Sequence, residues 1–126
     1  MLRLVDVALV ALGGAIGSVS RYLVGLTLAA LLGPALPFGT LTVNVTGSFA
    51  AGLLLGVTEV RDVATATRLV LLTGFLGGYT TFSAFSIETV LLAEQQGALG
   101  AIGNVAANLG LGLGAALFGV VVGRGY

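Results

Sequence analysis

The 126-residue sequence contains no cysteine and no histidine, and all five of its basic residues are arginine. Lacking cysteine, it has no disulfide framework and no thiolate metal site. The missing histidine and lysine remove imidazole acid–base chemistry, histidine-based nucleophilic triads, a Schiff-base lysine and most transition-metal sites. An enzyme is therefore not expected. Charge is scarce as well: 8% of residues are charged and the formal net charge is zero. Such a balance offers nothing to nucleic acid or to an acidic partner.

What remains is apolar. The hydrophobic fraction is 57% and the mean hydropathy is +1.13, far outside the range of soluble domains. The composition is that of an integral membrane protein with one domain over residues 1–126. Met1–Gly17 has the look of a signal peptide, with Arg3 ahead of an apolar run. The apolar character continues past Arg21 to Leu32, however, and Asp6 interrupts its start. The segment reads as a retained first helix.

Four transmembrane helices are expected, over about residues 4–32, 38–58, 66–93 and 98–123. Gly33-Pro34-Ala35-Leu36-Pro37 separates the first two, because proline stops a helix. Glu59–Asp62 and Glu94–Gly97 mark the other turns. An even number of spans puts Arg3, Arg61, Arg68 and Arg124 on one side, which favours cytoplasmic termini. Glycines recur four apart at Gly13/Gly17, Gly52/Gly56, Gly74/Gly78, Gly110/Gly114 and Gly119/Gly123. In lipid, such pairs let helix backbones approach closely.

The third span is the unusual one. Leu69–Ile87 is uncharged, yet its centre holds Gly74, Gly77 and Gly78, followed by Thr80, Thr81 and Ser83. So many glycines make a helix easy to break, and the interruption is expected at Gly74–Tyr79. A break at bilayer depth needs protein, ions or a wet path to satisfy the freed backbone. Discontinuous membrane helices of this kind are typical of ion and substrate sites.

Polar groups within the spans are few. Asn44 must find partners, either along a water path or in an interhelical hydrogen bond. Asn104 and Asn108 share one face of the fourth span and read as lining a path. Phe82 and Phe85 meet on one helix face. Such a pair serves ordinary packing, or it offers an anion the positive rims of two rings. Thr81, Ser83 and Ser86 would add hydroxyl donors beside them. Arg21 either snorkels to the headgroups or attracts anions at a vestibule. Glu88, one turn beyond Phe85, either modulates the same mouth or, as expected here, snorkels to the interface.

Three motifs together resemble the Fluc/CrcB family of fluoride channels. They are Gly14-Ala-Ile-Gly-Ser-Val-Ser-Arg21-Tyr22, Gly39-Thr-Leu-Thr-Val-Asn44-Val-Thr-Gly-Ser-Phe49 and Gly74-Phe-Leu-Gly-Gly-Tyr-Thr-Thr-Phe-Ser-Ala-Phe85. The resemblance implies a dual-topology protein in a prokaryotic inner membrane, in which two antiparallel subunits form two pores. The second subunit would be another copy of this chain or an oppositely oriented homologue. Asn44, Phe82 and Phe85 would line the fluoride path, with Thr40 and Arg21 towards a vestibule. Gly77 and Thr80 would offer backbone carbonyls to a structural sodium ion at the dimer centre. Position 84 is alanine where the family motif has threonine, and the fourth span offers Asn104, Asn108 and Gly112 in place of tyrosine and hydroxyl residues. A structural bundle without transport of its own is one rival reading; the chief rival is a small multidrug-type, proton-coupled exporter. It needs a carboxylate within the first helix, where this chain has Asp6 near the end and Arg21 deeper.

Overall fold

The computed structural model describes residues 3–125, so the first two residues and the last of the expected domain lie outside it. Among the described residues the chain is helical, with no strand. α1 (Leu4–Leu32) and α2 (Phe38–Val60) are joined through Gly33, whose φ of 82° suits glycine and turns the chain out of α1. α3 (Thr65–Arg68) runs into a π-helix, π1 (Leu69–Leu76), and then α4 (Gly77–Tyr79). Thr80 and Thr81 are extended, with φ/ψ of −83°/157° and −151°/120°. α5 (Phe82–Arg124) follows.

α5 is not straight. Gly97, at φ 74° and ψ −174°, interrupts it. The side chains of Asn104 and Thr89 lie 2.8 Å apart across that point. Fifteen residues of straight helix would separate them by about 22 Å. The chain therefore doubles back at Gly97, giving α5 a first arm to residue 96 and a second from residue 98. Glycine is needed here because a side chain at this φ is strained.

Among the described residues, three helical tracts are long and apolar enough to cross a membrane: Leu4–Leu32, Phe38–Val60 and Thr65–Arg124. Their apolar side chains face outward as much as inward. Leu12, Ile16, Val19, Leu23 and Leu26 of α1 are all exposed. In water that surface would drive aggregation, whereas in lipid it is the solvated face.

The helices meet on glycine. A Cβ on Gly13 or Gly17 would collide with the backbone at Val70 or Phe75 of π1, and one on Gly74 or Gly78 with the backbone at Val10 or Gly14 of α1. Gly52 and Gly56 press on Ala116 and Val120 of the second arm of α5, while Gly119 and Gly123 press back on Phe49 and Leu53. Four of the five spaced pairs thus form two backbone-to-backbone seams, as expected for membrane packing. Gly110 and Gly114 face open space.

The seams also relocate the interruption. Gly74–Tyr79 is helical, and the two residues that leave the helix are Thr80 and Thr81. Gly74 and Gly78 serve close approach to α1 rather than backbone freedom.

Candidate functional site

The extended step at Thr80–Thr81 would leave backbone groups without helical partners, and neighbouring side chains take them up. The Thr81 N–H donates to Oδ1 of Asn44 at 2.8 Å, and Nδ2 of Asn44 returns a bond to the Thr81 carbonyl at 3.1 Å. One amide on α2 thus grips both backbone groups of one residue. Thr81 in turn caps α5, its Oγ1 accepting the N–H of Ala84 at 3.2 Å. Thr80 turns back, N–H and hydroxyl both donating to the Leu76 carbonyl at 3.0 and 2.9 Å.

These diversions have a consequence for two carbonyls. In a continuous helix the Gly77 carbonyl would accept from the Thr81 N–H, and the Thr80 carbonyl from the Ala84 N–H. Both N–H groups bond to side-chain oxygens instead. A Cβ at Gly77 would meet open space. The two oxygens freed are those of the residues expected to hold sodium. Carbonyl oxygen suits a hard cation.

Asn44 does not stop at Thr81. Its Nδ2 also donates to Oδ1 of Asn108 at 3.0 Å. Nδ2 of Asn108 donates to the backbone and side-chain oxygens of Asn104, both at 3.1 Å, and Nδ2 of Asn104 donates to Oγ1 of Thr89 at 2.8 Å. Asn104 and Asn108 are buried. The amides of all three asparagines are engaged with protein, as burial in an apolar setting demands.

In front of this row stand the two rings. Phe82 and Phe85 have centroids 5.4 Å apart and planes inclined at 58°. Phe85 is buried, whereas Phe82 is 75% exposed. Both line a cavity of about 460 Å³ with Asn44, Gly77, Thr80, Thr81 and Asn108. Ser83 lies beside it, its hydroxyl 3.2 Å from that of Thr81.

The remaining expected residues fall in two other places. Arg21 and Thr40 line a second cavity, of about 410 Å³, together with Ser18, Thr81 and Ala84. Thr81 is thus a wall common to both cavities. Arg21 makes no ion pair among the described residues. Asn104 opens instead on an apolar pocket of about 280 Å³ with Leu36, Phe38 and Leu92. It joins the first site only through Asn108.

Two further residues take places that the sequence pattern alone does not fix. Glu88 does not reach outward: it is half-buried, its Oε1 accepts the Thr40 hydroxyl at 2.7 Å, and its Oε2 is buried without a partner. The signal was faint, since only the three-dimensional meeting of α2 and α5 brings Thr40 to it. Thr89 was passed over altogether. Its place one turn after Phe85 was visible, but its contact with Asn104 depends on the reversal at Gly97.

Residues 8–120 match the model of the CrcB-like protein, Camphor Resistance (CrcB), family. The chain belongs to the CrcB family. It is 50% identical over 120 residues to the fluoride-specific ion channel FluC of Allorhizobium ampelinum, covering 94% of this chain and 96% of that protein. It is 47% identical over 122 residues to the FluC of Rhizobium etli and 48% identical over 123 residues to that of Agrobacterium fabrum, in each case covering 96% of this chain and 98% of the relative. The resemblance read from the three motifs is borne out.

Proposed function

We propose that this chain is a fluoride-selective ion channel that passively exports cytoplasmic fluoride. The observation that carries the reading is the cavity at Thr80–Thr81. It is lined by the Phe82 and Phe85 rings and by an asparagine whose position is set by the backbone. Fluoride is small and strongly hydrated, so a path must replace its water with donors and ring rims. A full positive charge would hold it too tightly to leave. In this reading Asn44, Phe82, Phe85, Thr81 and Ser83 form the path, Asn108 belongs to its wall, and Asn104 stands behind it, joined through Asn108. Arg21, which makes no ion pair among the described residues and lines the cavity that shares Thr81, draws anions towards a vestibule with Thr40.

The assembly is part of the proposal. The chain crosses the inner membrane of a prokaryote four times, α5 contributing two passes about Gly97. The step at Thr80–Thr81 lies at mid-membrane. A second, antiparallel copy or an oppositely oriented homologue covers the exposed Phe82 ring and completes two pores. A two-fold axis at the step would bring the Gly77 and Thr80 carbonyls of both subunits together, four oxygens for a structural sodium ion. The sodium would supply fixed positive charge between the pores. The exporter alternative needs a first-helix carboxylate free for a cation, and Asp6 sits 3.8 Å from Arg3 at the helix start.

The test is purified protein in liposomes loaded with fluoride. Rapid fluoride release with chloride retained is expected. Retention of fluoride by folded, reconstituted protein would refute the channel.

A further inference from the structure

The hydrogen bonds around Asn44 run in one direction. The Thr81 N–H donates to Asn44, Asn44 to Asn108, Asn108 to Asn104, Asn104 to Thr89, and the Thr89 hydroxyl to the Phe85 carbonyl at 2.7 Å. Backbone groups dictate that direction, since each can act in only one sense. The Thr81 N–H must meet an oxygen, and the Thr81 carbonyl must meet a nitrogen, so Asn44 has one orientation. The Asn104 carbonyl fixes the nitrogen of Asn108, which turns the oxygen of Asn104 towards it and the nitrogen towards Thr89. Thr89 accepts that bond, and its own proton goes to the Phe85 carbonyl.

The row begins at Thr81 and ends at Phe85, the two limits of the single helical turn that carries Phe82, Ser83 and Ala84. It crosses α2 and both arms of α5 between those points. A threonine bonding back to the carbonyl four residues earlier is commonplace and by itself means nothing. Here the same oxygen also accepts from a buried amide of another arm, so the far end of the turn is tied down. Thr89 lines none of the three cavities described. Whatever it contributes passes through Asn104 and Phe85.

We propose that Thr89 is a positioning residue for the two phenyl rings, closing a one-way row of hydrogen bonds that starts at Thr81. The proposal rests on the channel reading for its functional consequence, though not for its structural one. Removing the hydroxyl leaves Asn104 without its acceptor and frees the far end of the turn. An interhelical bond of this kind contributes about 1 kcal/mol, which corresponds to about a three- to tenfold change.

The experiment pairs fluoride flux with a local signal. Wild type, Thr89→Val and Thr89→Ser are reconstituted in liposomes, and each is also prepared with 4-fluorophenylalanine at position 85 for fluorine NMR. Thr89→Val is expected to lower fluoride flux about three- to tenfold and to shift or broaden the ring resonance. Thr89→Ser, which keeps the hydroxyl, is expected to restore both. Asn104→Ala removes the same link from the other side, together with its bond from Asn108. It must lower flux and shift the resonance at least as far as the valine variant, which covers a valine variant that fails to fold. Unchanged flux or an unchanged resonance in the variants lacking the link overturns the proposal, as does a loss that serine leaves unrepaired. A wild-type protein silent towards fluoride counts against the channel instead, and the resonance then decides the role of Thr89.

Discussion

Where α1 meets π1, side chains are absent and backbones touch; at Thr80–Thr81 the backbone parts from its helix and side chains fill the gap. The first arrangement excludes everything, the second leaves donors, carbonyls and ring edges beside a cavity. Both solve the same difficulty, a polar backbone in an apolar solvent. Helices that satisfy themselves can be pressed together wherever glycine removes the side chains. A step in the helix cannot satisfy itself and draws polar residues to it. Asn44, Thr81 and Asn108 meet at that step, where the freed backbone needs them.

The comparison predicts opposite responses to substitution. The largest effect is expected at the seams. Gly17→Val and Gly52→Val place a side chain against backbone that has no room. Overpacking costs about 1–3 kcal/mol even where neighbours give way, and here they are main chain. Loss of the folded protein from detergent extracts, read by size-exclusion chromatography, is expected; normal recovery would show that the seams are looser than described.

At the step, function is expected to fail while the fold survives. Asn44→Asp keeps an oxygen for the Thr81 N–H but sets a second against the Thr81 carbonyl and Oδ1 of Asn108, both acceptors. Phe82→Ile alters a ring that is exposed within the chain. Each variant is expected to elute as wild type does and to abolish fluoride release from liposomes. Full release by either would remove that residue from the path.

A smaller effect is expected from Thr40→Val. It leaves both carboxylate oxygens of Glu88 without a partner, a loss on the order of 1–3 kcal/mol. A lower melting temperature in detergent with slower release checks it. The smallest belongs to Gly110→Ala and Gly114→Ala, which meet open space within the chain. Unaltered melting is expected, and a large drop would reveal a contact that a single chain does not contain.

The helices were readable from the sequence because a membrane span is a long-range average over apolar residues, insensitive to any one of them. Gly97 was readable too, as the end of a polar turn. The position of the step was not. Glycine lowers the cost of leaving a helix, and that favoured Gly74–Tyr79, but glycine also permits close approach, and the use made of it depends on what lies opposite. Gly13 and Gly14 lie opposite Gly74 and Gly78, so those stay helical and the chain departs where Asn44 can receive it. Asn44 stood out as an amide in an apolar chain, whereas Phe82 and Phe85 fitted ordinary packing as well and were singled out by the resemblance. Glu88 and Thr89 did not stand out, because a carboxylate near a helix end and a threonine within a turn are ordinary until their neighbours are known.

The rings at this step are proposed to govern a path for fluoride and for no larger halide. Fluoride and chloride electrodes reading the same liposomes, with wild type beside Phe82→Ile, test it most directly. Fast fluoride release is expected from wild type, none from Phe82→Ile and no chloride release from either. Chloride escaping with fluoride, or equal fluoride release from the two proteins, would contradict it.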